Sequence, residues 1–115
     1  MPYSRGDIVL VLYPNSDLVT AKKRPALVVQ RDDLNSDLPQ VIIAMLSSRT
    51  FRASHPSRVL IERSDPAFGQ TGLLGDTVLM TDNLATVLEA EIERRIGCWP
   101  KMIEADNALR HTLSL

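Results

Sequence analysis

The chain has 115 residues, 44% of them hydrophobic and 23% charged, which suits one globular domain over residues 1–115 and excludes two independent cores. The formal net charge is −1, so an argument for a nucleic-acid partner has to come from where the charges lie and not from their sum. Cys98 is the single cysteine, which excludes an internal disulfide, and with no signal-peptide pattern and no apolar run of about 18 residues we expect a cytoplasmic protein.

Five short apolar segments predict β-strands, because they are rich in β-branched residues and are bounded by glycine, proline or polar turns. The segments between them, including Leu18–Lys23 and Ser47–Arg58, have the composition of loops. The predicted strands are Ile8–Leu12, Ala26–Val29, Val41–Leu46, Arg58–Glu62 and Thr77–Met80.

The pattern becomes helical near the end of the chain. Val87–Ile96 places four apolar residues on one helical face and is followed by Gly97, a plausible helix stop. Met102–Leu113, after Pro100, has a weaker amphipathic pattern. Strands followed by helices predict a mainly β domain, a small twisted barrel or curled sheet with helices added.

The basic residues are unevenly placed. Six of the 13 lysines and arginines lie in two acid-free segments, one just before the second strand and one just after the third. If these strands are antiparallel neighbours, both segments flank one patch, which could bind a polyanion through its phosphates. The alternative is that these cations only solvate loops. The six residues are Lys22, Lys23, Arg24, Arg49, Arg52 and Arg58.

Aromatic residues that could stack on unpaired bases are few. Phe51 lies inside the second basic segment, and Tyr13 leads into the first. Stacking on such side chains is typical of single-stranded RNA recognition. Phe51 could equally anchor its loop by packing against the protein.

Five segments, in chain order and over nearly the whole chain, resemble the MazF/PemK family of toxin endoribonucleases. The second resembles the family's R-P-A-L motif, and the third resembles its third strand. The segments are RGDIVLV at 5–11, KRPALVV at 23–29, VIIAMLSSR at 41–49, TGLLGDTVLMTDNLATV at 71–87 and RRIG at 94–97.

The resemblance implies an SH3-like small barrel of the MazF/Kid/CcdB type with a C-terminal helix, assembled as a homodimer. It implies sequence-selective cleavage of single-stranded RNA without metal or cofactor, through a 2′,3′-cyclic phosphate. It also implies neutralisation by a small cognate antitoxin with an acidic C-terminal segment.

The resemblance assigns the catalytic arginine to Arg24 and its hydroxyl partner to Ser47, where the family usually has threonine. Gly75 stands where many members have lysine. These departures keep an alternative open, in which the domain binds RNA or the antitoxin but is catalytically weak or inactive.

The chemistry assigns further roles. An always-charged guanidinium at Arg24 would stabilise the phosphate's developing charge, and Ser47 would hydrogen-bond a nonbridging oxygen. His55 is the candidate general base, although a solvated loop histidine is the plainer explanation. Asp17 could orient Arg24. We expect the RNA contacts to come from Lys22, Lys23, Arg49, Phe51, Arg52 and Arg58.

Overall fold

A computed structural model describes residues 2–14 and 21–115, so Asp17 lies outside the described residues. Six strands form one antiparallel sheet in the order β4-β5-β3-β2-β1-β6, and one helix follows. The elements are β1 (Asp7–Pro14), β2 (Ala21–Val28), β3 (Gln40–Ser47), β4 (Arg58–Ile61), β5 (Thr77–Leu88), β6 (Ile92–Cys98) and α1 (Met102–Leu113), with 3-10 turns at Thr50–Ala53, Phe68–Gln70 and Glu89–Glu91.

Successive side chains along each strand point to opposite faces of the sheet. Both sets are apolar, so each face of the sheet carries a buried apolar cluster. One apolar cluster contains Ile8, Leu27 and Leu79 and is covered by Trp99 and by α1 through Ala105. The neighbouring residues in the same strands point to the other face and form the second cluster, which includes Val9, Ala26 and Val28. This arrangement explains why the strands appear in the sequence as continuous apolar runs.

A bulge in β5 bends the sheet. Ala44 pairs with Leu84, but the next residue, Met45, pairs with Met80, so three residues of β5 have no counterpart in β3. Bulges of this kind bend a strand and increase its twist. The mainly β fold with a C-terminal helix is therefore confirmed, as a curled sheet of SH3-like type with β4 and β6 at its edges in the described part of the chain.

The predicted helix over Val87–Ile96 is wrong. β5 continues to Leu88, the turn Glu89–Glu91 reverses the chain, and β6 starts at Ile92. Val87 and Ile92 meet in the second apolar cluster as strand residues, because pairing with β3 and β1 satisfies their backbone groups. The helix Met102–Leu113 is confirmed with the predicted bounds.

The loop assignment for Lys22 and Lys23 is also wrong. Both belong to β2, which starts at Ala21, and they pair with Tyr13 and Leu12 of β1. Because β1 and β2 pair from Ile8–Leu27 to Pro14–Ala21, β2 extends beyond its apolar part to include both lysines. Among residues 2–14 and 21–115, no helix is long and apolar enough to cross a membrane.

Two ion pairs attach the C-terminal helix region to the rest of the domain. Arg5 Nη2 lies 2.6 Å from Asp106 Oδ1, and Lys101 Nζ lies 2.6 Å from Asp65 Oδ2. The hydrogen bond from Lys101, with a second from the Ala67 N–H, lowers the pKa of Asp65. The charged form of Asp65 is therefore the form that favours the folded state.

Asp65→Asn is expected to lower the melting temperature at pH 7, because the amide keeps an acceptor for Ala67 but loses the charge that attracts Lys101. A carboxyl whose pKa is depressed on folding contributes stability above its unfolded pKa of about 3.9 and loses it as the pH falls through the folded value. Thermal unfolding between pH 7 and pH 2 should show the difference between wild type and variant shrinking below about pH 4. A difference that stays constant over that range would contradict this account.

Candidate functional site

A cleft of about 520 Å³ opens where the N-terminal half of β2 meets the end of β3. We call it the Arg24 cleft. Among the described residues, five basic side chains line it: three come from β2, one from the loop after β3, and one from β6. They are Lys22, Lys23, Arg24, Arg49 and Arg94.

Arg24 and Ser47 both line this cleft. The antiparallel pairing of β2 with β3 runs from Val28–Ile43 to Ala26–Met45, and Arg24 and Ser47 each lie two residues beyond the last pair. Antiparallel pairing brings the start of one strand and the end of its neighbour to the same end of the sheet. The two residues that the resemblance assigns to catalysis thus line one cleft, as the antiparallel hypothesis predicts.

Ser47 is buried, and its hydroxyl is fixed by the turn that follows β3. Its Oγ accepts a hydrogen bond from the Arg49 N–H at 3.1 Å. A hydroxyl that accepts in this way still carries a proton that it can donate. Ser47 therefore presents a donor at a fixed position in the cleft, and the same turn places Arg49 at the cleft's edge.

Lys23, which lines the cleft, forms an ion pair with Glu93 of β6. Lys23 Nζ lies 2.7 Å from Glu93 Oε1, and both side chains are about half exposed. The hydrogen bond from Lys23 lowers the pKa of Glu93. The next residue in β6 is Arg94, so the cationic lining continues from β2 across β1 to β6.

Residues 72–77, which we call the 72–77 wall, also line the cleft, and none of them is basic. Two glycines fix the wall to β6. A Cβ on Gly72, which has φ +71°, would overlap the Ile96 backbone, and a Cβ on Gly97 would overlap the backbone of Gln70 and Thr71. Thr71 is buried, and its hydroxyl donates to the Phe68 carbonyl and accepts from the Leu73 N–H.

Sequence reasoning missed the functional potential of this wall. Leu74 is 97% exposed, and Asp76 is the one carboxylate among the lining residues of the cleft in the described chain. Asp76 Oδ1 accepts a hydrogen bond from the Arg63 N–H at 2.7 Å. The sequence feature that could have indicated this wall is the apolar pair Leu73 and Leu74 between Gly72 and Gly75, just before the strand β5 begins.

Three predicted RNA contacts lie outside the lining of the Arg24 cleft. Phe51 is 78% exposed, so it does not anchor its loop, and the Arg52 guanidinium lies 5.8 Å from its ring centroid. Arg58 donates to both carboxylate oxygens of Asp82 at 3.2 and 2.6 Å and to the Arg52 carbonyl. This pairing raises the pKa of Arg58 and lowers that of Asp82, so Arg58 has a structural partner.

His55 also lies outside the cleft lining. Its Nδ1 accepts a hydrogen bond from the Ser57 N–H at 3.1 Å, and its ring lies edge-on to His111 with centroids 5.9 Å apart. The structure therefore does not bring His55 together with Arg24 and Ser47. In the part of the chain that the structure describes, no three His, Cys, Asp or Glu side chains are placed to hold a metal ion.

Comparison with known proteins identifies the family. The sequence model described as PemK-like, MazF-like toxin of type II toxin-antitoxin systems matches residues 4–113. The chain belongs to this family. Endoribonuclease MazF2 of Mycobacterium bovis is 34% identical to it over 119 aligned residues that cover both chains completely, and endoribonuclease MazF6 of Mycobacterium tuberculosis shows the same identity and coverage.

The fold agrees with solved structures of this family. An endoribonuclease from a mycobacterial species, solved in complex with its cognate antitoxin, has a TM-score of 0.73 and 23% identity to this chain. The alignment covers 98% of this chain and 96% of that one. The MazF-like fold therefore extends over the whole domain, and the resemblance seen in the sequence motifs is confirmed.

Gly97→Ala is expected to destabilise the domain by about 1–3 kcal/mol or more, because the new methyl group would push the backbone of Gln70 and Thr71 off β6. Gly75→Ala is the matched control. A Cβ at Gly75 would meet nothing within 4 Å, so its effect should stay within about 0.5 kcal/mol. Urea unfolding of both variants checks this, and equal stabilities would contradict the crossing of the wall over β6.

Proposed function

We propose that the chain is a metal-independent, sequence-selective endoribonuclease that cuts single-stranded RNA by attack of the adjacent 2′-hydroxyl, leaving a 2′,3′-cyclic phosphate and a 5′-hydroxyl. The coarser part of this statement, a MazF-like toxin of the endoribonuclease class, rests on the family and on full-length relatives with that name. The single observation that supports the finer part is that Arg24 and Ser47 line one cleft together with four other cations.

The proposed reaction needs charge stabilisation at one phosphate. When the 2′-oxygen loses its proton to water and attacks, the phosphorus becomes five-coordinate and its nonbridging oxygens carry more negative charge. The bond from phosphorus to the 5′-oxygen then breaks, and the 5′-oxygen takes up a proton from water. A guanidinium at Arg24 can donate two parallel hydrogen bonds to such oxygens, and the Ser47 hydroxyl can donate a third. Donors held in place before the reaction stabilise the transition state without having to reorganise.

The substrate class follows from the lining of the Arg24 cleft. The remaining cations, Lys22, Lys23, Arg49 and Arg94, lie on both sides of Arg24 and could contact phosphates along several nucleotides. A chain of phosphates with a free 2′-hydroxyl and unstacked bases fits this layout. The exposed Phe51 ring, next to Arg52, could stack on a base beyond the cleft.

The partners and location are part of the same proposal. A similar endoribonuclease was solved in complex with its cognate antitoxin, and we expect this chain to bind a small antitoxin whose acidic segment competes for the cleft cations. We also propose a homodimer in the cytoplasm. Because His55 lies outside the cleft, its role as general base has no support from the geometry, and the proposal assigns catalysis to Arg24 and Ser47.

Arg24→Ala is expected to reduce RNA cleavage about 10²- to 10³-fold or further, because it removes the positioned charge from the scissile phosphate. Arg110→Ala, which changes an exposed arginine on α1, should cleave like the wild type. Rates on a defined single-stranded RNA measure this, with circular dichroism to establish that both variants fold. A folded Arg24→Ala protein that cleaves at the wild-type rate would refute the proposed site. A wild type that retains RNA without cutting it would favour the inactive binding module.

Glu93→Gln is expected to raise the affinity for single-stranded RNA about 2- to 5-fold at low salt, because it releases Lys23 from an exposed ion pair and removes a negative charge beside the cleft. The gain should vanish at high salt. Glu62→Gln, at an exposed position outside the cleft lining, is the control. Fluorescence anisotropy with a labelled oligonucleotide measures both, and equal affinities for the two variants would contradict a role of Lys23 in binding.

A further inference from the structure

The 72–77 wall differs chemically from the basic residues that line the rest of the Arg24 cleft. Leu74 offers an almost fully exposed apolar surface, and the space beside Gly75 is open, since a Cβ built there would meet nothing within 4 Å. A flat ring could pack in this space. A phosphate would gain nothing there, because the wall offers it an apolar surface and a carboxylate.

Asp76 adds a hydrogen-bond acceptor to this surface. The Arg63 N–H holds its Oδ1 at 2.7 Å and so orients the carboxylate. An ionised carboxylate can only accept hydrogen bonds, so its complement on RNA is an N–H group of a base. Cytosine, adenine and guanine have an exocyclic amino group, whereas the one N–H of uracil, N3–H, lies between two carbonyl oxygens that repel a carboxylate.

The register separates Asp76 from the phosphate that Arg24 and Ser47 would hold. Ser47 pairs with Val78, and Asp76 comes two residues before Val78. Two residues of extended chain span about 7 Å. This offset lets Asp76 contact a base that neighbours the phosphate held by Arg24 and Ser47 in the proposed function.

We propose that the 72–77 wall is a base-recognition subsite, in which Asp76 accepts a hydrogen bond from the exocyclic amino group of one unpaired base packed on Leu74 and Gly75. The inference rests on the proposed function, because it takes RNA as the ligand of the cleft. It makes Asp76 a determinant of sequence specificity that discriminates against uracil.

Asp76→Asn tests the proposal sharply. The amide keeps an oxygen for the Arg63 N–H but replaces the second acceptor with an NH₂ donor, which complements a uracil carbonyl. Binding is measured with 2′-O-methyl oligonucleotides of cytidine and of uridine, which lack the nucleophile and cannot be cut. The wild type should prefer the cytidine oligonucleotide by about 5- to 150-fold, and the variant should lose or reverse this preference. Asp33→Asn, an exposed acid outside the cleft, should keep the wild-type ratio.

Cleavage gives a second readout. In a long RNA of defined sequence, Asp76→Asn should cut at new positions in which uridine replaces an amino-bearing base. Unchanged base preference in both assays would overturn the proposal. A uniform loss of rate at unmoved positions would also overturn it and would assign proton transfer to Asp76 instead.

The controls separate this inference from the proposed function. A wild type that binds the oligonucleotides with the stated preference but cuts no RNA supports the subsite and refutes the nuclease. A wild type that cuts RNA but shows no preference refutes the subsite alone. If Asp76→Asn does not fold, Asp76→Glu replaces it: this acceptor-only variant should still favour cytidine, and a preference for uridine would refute the proposal.

Discussion

The antiparallel pairing of β2 with β3 determines both the core and the site. Ala26, Leu27 and Val28 are fully or almost fully buried, and they pair with Met45, Ala44 and Ile43. A shift of the register by one residue would exchange these side chains between the two apolar clusters, which are packed differently. Arg24 and Ser47 each lie two residues beyond the last pair, at the end of the sheet where the cleft opens. The packed sheet is therefore a rigid support for the proposed catalytic charge.

The second constraint is the crossing of residues 70–72 over β6. Gly72 and Gly97 let two backbones approach to a distance that no side chain would allow. This contact holds the 72–77 wall against β6, so the cleft has one part lined by cations and another lined by Leu74 and Asp76. In the proposed function, the cationic part would hold the phosphates and the wall would contact a base. The combination would let the nuclease select its sequence.

Much of this arrangement could be predicted from the sequence, and the failures have physical reasons. Ile8–Leu12, Val41–Leu46 and Met102–Leu113 were predicted correctly, because buried strands and an amphipathic helix have distinct apolar patterns. Val87–Ile96 was not. Its apolar spacing also fits two strands with a turn, and only the pairing with β3 and β1 decides between the two.

The candidate site residues also differ in how far they could be predicted. The motif around Arg24 and the end of the third strand could be found because the resemblance is local, and antiparallel pairing of the two strands predicted that both would flank one patch. Arg58 and His55 were candidates because of their residue types, but their positions depend on Asp82, Ser57 and His111, which no sequence pattern connects to them. Asp76 and Arg94 lie in two of the segments that resemble the family, but no sequence pattern showed that both line the same cleft as Arg24.

We propose that Arg24 and Ser47 promote RNA cleavage by stabilising attack of the RNA's own 2′-hydroxyl on the adjacent phosphate. The most direct measurement incubates the purified chain with a long single-stranded RNA of defined sequence in EDTA and determines the chemistry of the new ends. The account predicts cleavage at a restricted set of sites, with 2′,3′-cyclic phosphates on the upstream fragments and 5′-hydroxyls on the downstream ones. Cleavage that requires an added divalent metal ion, or that leaves 5′-phosphates, would contradict it.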